Sequence, residues 1–70
     1  MKKLCIILSN DDALILCIER DDDYLRALSN LDKAIEMGRT FYYNGMVEDV
    51  GEMSFILNPA HIVGFVEVKE

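Results

Sequence analysis

The sequence has no tryptophan, a single proline, a single histidine and only two cysteines among its 70 residues. A zinc site needs about four cysteine, histidine or carboxylate ligands, usually at short and regular spacings. Cys5, Cys17 and His61 follow no such spacing. We therefore expect no metal and no other cofactor. A lone histidine outside any known catalytic motif also predicts that the protein is not an enzyme.

Long apolar runs are missing as well. No run approaches the roughly 20 residues that span a bilayer. The apolar run at residues 4–8 comes after two lysines, but it is too short for a signal peptide, and the charges of Asp11 and Asp12 separate it from the next apolar run. We therefore expect a cytoplasmic protein.

Positive charge is scarce, since thirteen acidic residues against seven basic ones give a net charge of -6. Such a chain repels phosphate backbones and anionic lipid, so binding to nucleic acid or to a membrane is disfavoured. The densest acidic group, residues 21–23, lacks the central glycine and terminal glutamate of a calcium-binding loop. We interpret it as the charged start of a helix.

The pattern that is present begins with two short apolar runs, residues 4–8 and 14–18, on either side of the turn-forming sequence SNDDA. They predict a β-hairpin. With a loop of residues 10–12, Cys5 faces Cys17, and both thiols are interpreted as small buried hydrophobic groups rather than as a redox pair. One face of the hairpin is the expected core face, and the other is apolar only in its middle. The core face consists of Leu4, Ile6, Leu8, Leu14, Leu16 and Ile18.

A single helix is predicted after the hairpin. Asp21 or Asp22 is the expected N-cap, and Gly38 is the expected stop. Apolar residues recur at spacings of three and four, which predicts one buried face. That predicted face consists of Leu25, Leu28, Leu31 or Asp32, and Ile35, with Ala27 and Ala34 beside them.

A strand pattern resumes after Gly38. The dipeptide Asn44-Gly45 predicts a tight hairpin turn, and residues 46–58 form the return strand, with a bulge or a second turn near EDVGE. Residues 62–68 form the last strand. The order β-β-α-β-β-β predicts one small α+β domain over residues 1–70, with a mostly antiparallel sheet. Because one helix covers only one face, the sheet either curls into a partial barrel or is covered by a second copy of the chain.

The segment LNPAH, residues 57–61, holds the single proline and the single histidine. His61 suits a general base or a metal ligand, because histidine is the side-chain type whose unperturbed pKa lies closest to physiological pH. A structural interpretation accounts for more of the segment, with Asn58 capping a short helical turn and Pro59 at its first position. We favour the turn and keep His61 as a candidate ligand contact or pH-sensitive interface group.

The densest aromatic group lies in RTFYYNG, residues 39–45. Tyrosine and arginine are typical of energetically dominant positions in protein interfaces, and aromatic rings beside an arginine also suit the stacking of a nucleotide base. The interface interpretation is favoured. The candidate interface or ligand contacts are Arg39, Phe41, Tyr42, Tyr43 and His61.

The later part of the chain has a helix ending in AIEMG, a short strand, and then FILNPAHIVGFVEV. This order resembles that of small uncharacterised accessory proteins of phages and mobile elements of Gram-positive bacteria, which often end in a strand, an Asn-Pro-x-His-Ile turn and another strand. The resemblance covers residues 34–68. It implies a small accessory protein that acts on a host factor.

Together these features predict a non-enzymatic interaction module. We expect a homo-oligomer, as a dimer or higher assembly, with an accessory or regulatory role in which it binds a host protein. The alternative is a protein that sequesters a nucleotide signal in a pocket at a subunit interface, with Arg20, Arg26 or Arg39 at the phosphate.

Overall fold

A five-stranded antiparallel sheet with one α-helix packed on one face is the architecture of the computed structural model, which describes residues 1–69. The predicted α+β class and the predicted element order are confirmed. The strands lie side by side across the sheet as β4-β3-β2-β1-β5, so β4 and β5 form its two edges and the sheet is not closed. The elements are β1 Lys2–Leu8, β2 Ala13–Ile18, α1 Asp21–Met37, β3 Phe41–Val47, β4 Gly51–Leu57, a 3-10 turn Pro59–His61, and β5 Ile62–Val68.

The β1–β2 hairpin forms, but its register differs from the predicted one. Cys5 faces Ile15, and Cys17 faces Lys3, so the predicted pairing of the two cysteines is wrong. The reason is the loop, which consists of residues 9–11 and closes with a Leu8 N to Asp12 O hydrogen bond of 2.9 Å. As diagonal neighbours, the two cysteines have β carbons about 7–8 Å apart, whereas a disulfide needs about 3.8 Å. Both thiols are free.

The error in register leaves the assignment of the two hairpin faces intact. The pairing is displaced by two residues on β2, and side chains alternate with a period of two, so every residue keeps its face. Leu4, Ile6 and Leu16 are completely buried, and Ile18 is nearly so. Leu8 and Leu14 are partly buried and pack against the same core. The predicted core face is therefore confirmed.

The helix begins and ends close to the predicted positions, but the side that it turns towards the sheet differs from the predicted one. Gly38 ends it in a left-handed conformation with φ 68°, as predicted, whereas the N-cap is Arg20 rather than Asp21 or Asp22. Leu25 is 62% exposed and Ile35 is also exposed, so their assignment to the buried face is wrong. The buried stripe has the same three-four spacing one position earlier and consists of Tyr24, Ala27, Leu31 and Ala34. Its two alanines allow the helix axis to approach the sheet closely.

The predicted tight turn at Asn44-Gly45 is also wrong, because both residues lie inside β3. The chain reverses at residues 48–50 instead, where Asp49 has φ 66° and precedes Gly51 with φ 102°. This turn confirms the second of the two features predicted near EDVGE. Gly45 has no positive φ; a β carbon there would lie 2.8 Å from Tyr43 Oη. The ring of Tyr43 crosses the glycine, so a β carbon at this position would force the ring to shift.

The core lies between α1 and the covered face of the sheet. Phe41, Val47 and Ile62 join the buried hairpin residues and the helix stripe. No buried side-chain nitrogen or oxygen atom within residues 1–69 lacks a hydrogen-bond partner. None of the helices in this described part of the chain could cross a membrane.

Candidate functional site

The three consecutive aromatic residues of β3 do not form one platform, because neighbouring side chains on a strand point to opposite faces. Phe41 is 2% exposed and Tyr43 is 9% exposed, and their rings stack inside the core with centroids 6.5 Å apart. Tyr42 points away from the helix and is 59% exposed. Arg39 is exposed and precedes the strand. Of the four candidate contacts at positions 39 and 41–43, Arg39 and Tyr42 are exposed and the other two are buried.

His61 ends the short 3-10 turn of Pro59–His61, as the structural interpretation predicted. The Asn58 side chain accepts a hydrogen bond from the Ala60 N–H at 3.0 Å, and Pro59 occupies the start of the turn. The structure adds a partner that the sequence did not suggest: Ser9 Oγ lies 3.3 Å from His61 Nδ1. The Ser9 N–H also donates to the His61 carbonyl at 2.8 Å.

These contacts fasten the turn to the loop of the β1–β2 hairpin. The two residues are 52 positions apart in sequence, so no local pattern relates them. A serine-histidine pair resembles part of a hydrolytic site, but a third group must orient the imidazole in such a site. Within residues 1–69, no carboxylate contacts the His61 ring. The observed role of the pair is to join the turn to the hairpin loop.

The face of the sheet opposite α1 has no covering element among the described residues, and we call it the open face. Its middle is formed by Cys5 and Ile15, which face each other across the hairpin, and by Cys17 and Met46, which face each other across β2 and β3. Cys5, Ile15 and Cys17 are partly buried, and Met46 is 42% exposed. Towards the edges the face carries further exposed apolar side chains, namely Ile7, Tyr42, Ile56, Val66 and Val68.

An ion pair between Lys3 and Glu48 lies across the open face. Lys3 Nζ on β1 donates to Glu48 Oε1 at 2.6 Å, and Glu48 adjoins Ile15 through its backbone N–H. The pair therefore crosses β2 between Ile15 and Cys17. Both charged side chains are partly buried, with exposures of 26% and 35%. The aliphatic stem of the lysine covers part of the apolar surface while its charge is neutralised.

A cleft lies where β2 and β3 separate, and we call it the β2–β3 cleft. The two strands share only the register pairs Leu16↔Val47 and Cys17↔Met46, whereas β3 and β4 share seven. The cleft has a volume of about 360 Å³. Residues 41–46 of β3 line it, together with four polar residues, of which the first directly follows β2 and the others lie on α1: Glu19, Asp23, Arg26 and Asn30.

The charges in this cleft are predominantly negative. Among residues 1–69, Arg26 is the only cation that lines the cleft, and its Nη1 lies 3.5 Å from Oδ1 of Asp23, one of the two lining carboxylates. Glu19 supplies a second negative charge. Burial raises the pKa of Tyr43, with smaller contributions from Cys17 and Asp23. The Tyr43 hydroxyl donates to the Met46 carbonyl at 3.0 Å.

Tyr24 was not predicted as a core residue, and it fastens α1 to β5. Its hydroxyl donates to Glu67 Oε1 at 2.8 Å, and Lys2 Nζ lies 5.0 Å from the centre of its ring. Burial, the hydrogen bond to Glu67 and the charge of that carboxylate raise the pKa of Tyr24 to about 12. The sequence gives only a weak indication that Tyr24 is buried. The three-four spacing of apolar residues fits a helix face that starts at Tyr24 as well as one that starts at Leu25.

Among residues 1–69, no three histidine, cysteine, aspartate or glutamate side chains are grouped so that they could hold a metal ion. Comparison of the chain with protein-family models, with curated proteins and with solved structures gave no match.

Proposed function

We propose that this chain is a non-enzymatic interaction module that associates with a second copy through the open face and, once assembled, binds a host protein. The observation that carries this proposal is that a single helix covers one face of the sheet, while apolar residues continue across the other. A chain of this size is close to the lower limit for stability with a single core. Association would bury apolar side chains on the open face, just as α1 buries those on the opposite face of the sheet.

The dimensions of the chain support a small but specific interface. The Cα positions extend over 28 × 23 × 22 Å, so one face covers roughly 500–640 Å², and two such faces would bury about 1,000–1,300 Å², near the lower end of specific interfaces. The open face is therefore large enough for a small two-fold interface.

The ion pair on the open face fits this proposal. Burying an unpaired charge is costly, whereas a pair that is already hydrogen-bonded brings a smaller penalty. Lys3 and Glu48 meet at 2.6 Å within one chain, so a second copy would cover a neutralised pair. In a two-fold interface the same pair from each copy would lie in equivalent positions.

The binding of a nucleotide signal at a subunit interface has less support. The rings of Phe41 and Tyr43 are buried, which leaves only Tyr42 of the aromatic group to stack on a base. The cleft beside it carries more negative than positive charge, which disfavours a phosphate. Asp23 lies 3.5 Å from the guanidinium of Arg26 and would compete with an anionic ligand for that cation.

The self-association is tested by measuring mass in solution from micromolar to millimolar concentration. We expect a species of twice 8.0 kDa that dissociates on dilution. Val66→Lys places a charge on the open face at a position that is 51% exposed, so the fold should tolerate it and the dimer should be lost. Leu25→Lys is the matched control, because Leu25 is exposed on the helix side.

Two results would contradict the proposal. One is a monomer of 8.0 kDa at millimolar concentration. The other is a dimer that Leu25→Lys dissociates and Val66→Lys does not, since that pattern would assign the interface to α1. Circular dichroism of both variants checks that each retains the wild-type secondary structure.

A further inference from the structure

The β2–β3 cleft exposes a strand edge inside the sheet. β2 ends at Ile18 and the chain enters α1 at Asp21, so the beginning of β3, residues 41–45, has no strand beside it on that side. On its other side the same stretch is fully paired with β4. A strand with one unpaired edge presents a row of free backbone groups to any extended chain that reaches it.

The existing hydrogen bonds show which backbone groups point into the cleft. Glu48 N–H donates to the Ile15 carbonyl at 2.8 Å. In an antiparallel ladder every second residue bonds to the same neighbour, so Met46, Asn44 and Tyr42 direct their N–H and C=O groups towards β2. Met46 finds Cys17 there. The backbone groups of Asn44 and Tyr42 have no hydrogen-bond partner among residues 1–69.

The charged residues that line the β2–β3 cleft indicate the chemistry of a ligand that would bind there. Glu19 and Asp23 both line the cleft, and Arg26, the cation that lines it within residues 1–69, is already paired with Asp23. The surplus charge at the cleft is therefore negative. A volume of about 360 Å³ is at the small end of the range of ligand sites. These features fit a short extended segment with a positive side chain.

We propose that the β2–β3 cleft binds an extended peptide that carries a lysine or arginine. Its backbone would pair with Tyr42 and Asn44 as an added strand, and its cation would meet Glu19 and the free side of Asp23. This inference names the class of host partner and in that respect rests on the proposed interaction function. The cleft adjoins the open face proposed for self-association and shares Cys17, Tyr42 and Met46 with it.

The test uses the blocked peptide acetyl-Val-Lys-Val-Lys-Val-amide, added to the nitrogen-15-labelled Val66→Lys variant so that self-association does not interfere. We expect the largest amide shifts at residues 42–46 and slowed hydrogen exchange at Asn44. The same peptide with alternate backbone nitrogens methylated should not bind, because it cannot complete a ladder. A peptide with glutamate in place of lysine should bind more weakly than the lysine peptide.

The protein variant Glu19→Gln removes one charge from the rim of the cleft and should weaken binding by about two- to fivefold, the range for an exposed ion pair. Glu36→Gln is the matched control, since Glu36 is exposed on α1 and does not line the cleft. It should leave the affinity unchanged within error.

Several outcomes would overturn the inference. Shifts confined to β4 or β5 would mean that the peptide adds to an outer edge of the sheet. Equal binding of the methylated peptide would exclude strand pairing, and equal weakening by the two glutamate variants would reduce the charge effect to net charge alone. If ATP shifts residues 42–46 and the peptide does not, the cleft is a nucleotide site. Because the variant used is designed to be monomeric, none of these results depends on whether the open face dimerises.

Discussion

Replacement of Gly45 by alanine gives the sharpest test of the packing beside the cleft. Alanine in a strand is ordinarily more favourable than glycine by about 0.5–1 kcal/mol, because glycine loses more backbone freedom on folding. Here a β carbon would lie 2.8 Å from Tyr43 Oη and 3.0 Å from Tyr43 Cζ. The ring must therefore move, and it is held on its other sides by Phe41 and Phe55.

The magnitude comes from two losses. Overpacking of this kind costs about 1–3 kcal/mol, and displacing the Tyr43 hydroxyl breaks its bond to the Met46 carbonyl, worth about 0.5–1.5 kcal/mol. After subtracting the intrinsic gain of alanine, we expect Gly45→Ala to lower the free energy of unfolding by about 0.5–4 kcal/mol. For a domain of this size, each kcal/mol corresponds to about 4–8 °C in Tm.

The matched control is Gly64→Ala in β5. This glycine also lies in a strand without a positive φ, and a β carbon there would meet nothing within 4 Å. We expect this variant to be as stable as the wild type or more stable by up to about 1 kcal/mol. Urea unfolding monitored by circular dichroism measures both variants, at one fixed protein concentration so that any association is constant.

A double-variant cycle identifies the contact itself. Tyr43→Phe removes the closest atom, so Gly45→Ala should cost less in that background than in the wild type. If Gly45→Ala is as stable as the wild type, or if its cost is the same with phenylalanine at position 43, the ring of Tyr43 does not impose the glycine and the reasoning is refuted.

Two further predictions concern the helix. Leu31→Ala should lower the free energy of unfolding by about 2–5 kcal/mol because Leu31 is completely buried. Leu25→Ala should change the free energy of unfolding by less than about 0.5 kcal/mol because Leu25 is exposed. Urea unfolding compares the two variants, and equal effects would contradict the assignment of Leu31 to the buried face of α1 and of Leu25 to its exposed face. For Tyr24, the folded pKa of about 12 exceeds the ordinary value of 10.0, so its stabilising contribution is complete below pH 10 and is lost as the pH rises towards 12. The difference in unfolding free energy between wild type and Tyr24→Phe should therefore shrink over that range, and a difference independent of pH would count against the Tyr24–Glu67 contact.

Local patterns predicted the elements that depend on near neighbours along the chain. Asn58 and Pro59 specify the 3-10 turn because a side-chain cap and a fixed φ act within three residues. Gly38 ends α1 because a left-handed residue is needed at that position. The alternation of the β1–β2 hairpin assigned its core face correctly even with the wrong register, since a displacement of two residues preserves the face.

The errors arose where two local patterns fit equally well and distant contacts selected between them. Asn44-Gly45 suits a tight turn, yet the ring of Tyr43 needs the space above Gly45 within a strand. The stripe that contains Leu25 matches helical spacing, but Tyr24 reaches Glu67 on β5 and takes the buried side. The contact between Ser9 and His61 joins residues 52 positions apart, so no local sequence pattern predicts it.

The sequence by itself determined the α+β class, the order of the elements, the acidic surface and the turn at LNPAH. These depend on composition and on interactions over three or four residues. Only the tertiary structure decided which aromatic rings are buried, how far β2 runs beside β3, and where unpaired backbone and uncovered apolar surface remain. Those properties depend on how the end of a strand, the start of a helix and a face of the sheet are placed relative to one another. Contacts between residues far apart in the chain determine that placement.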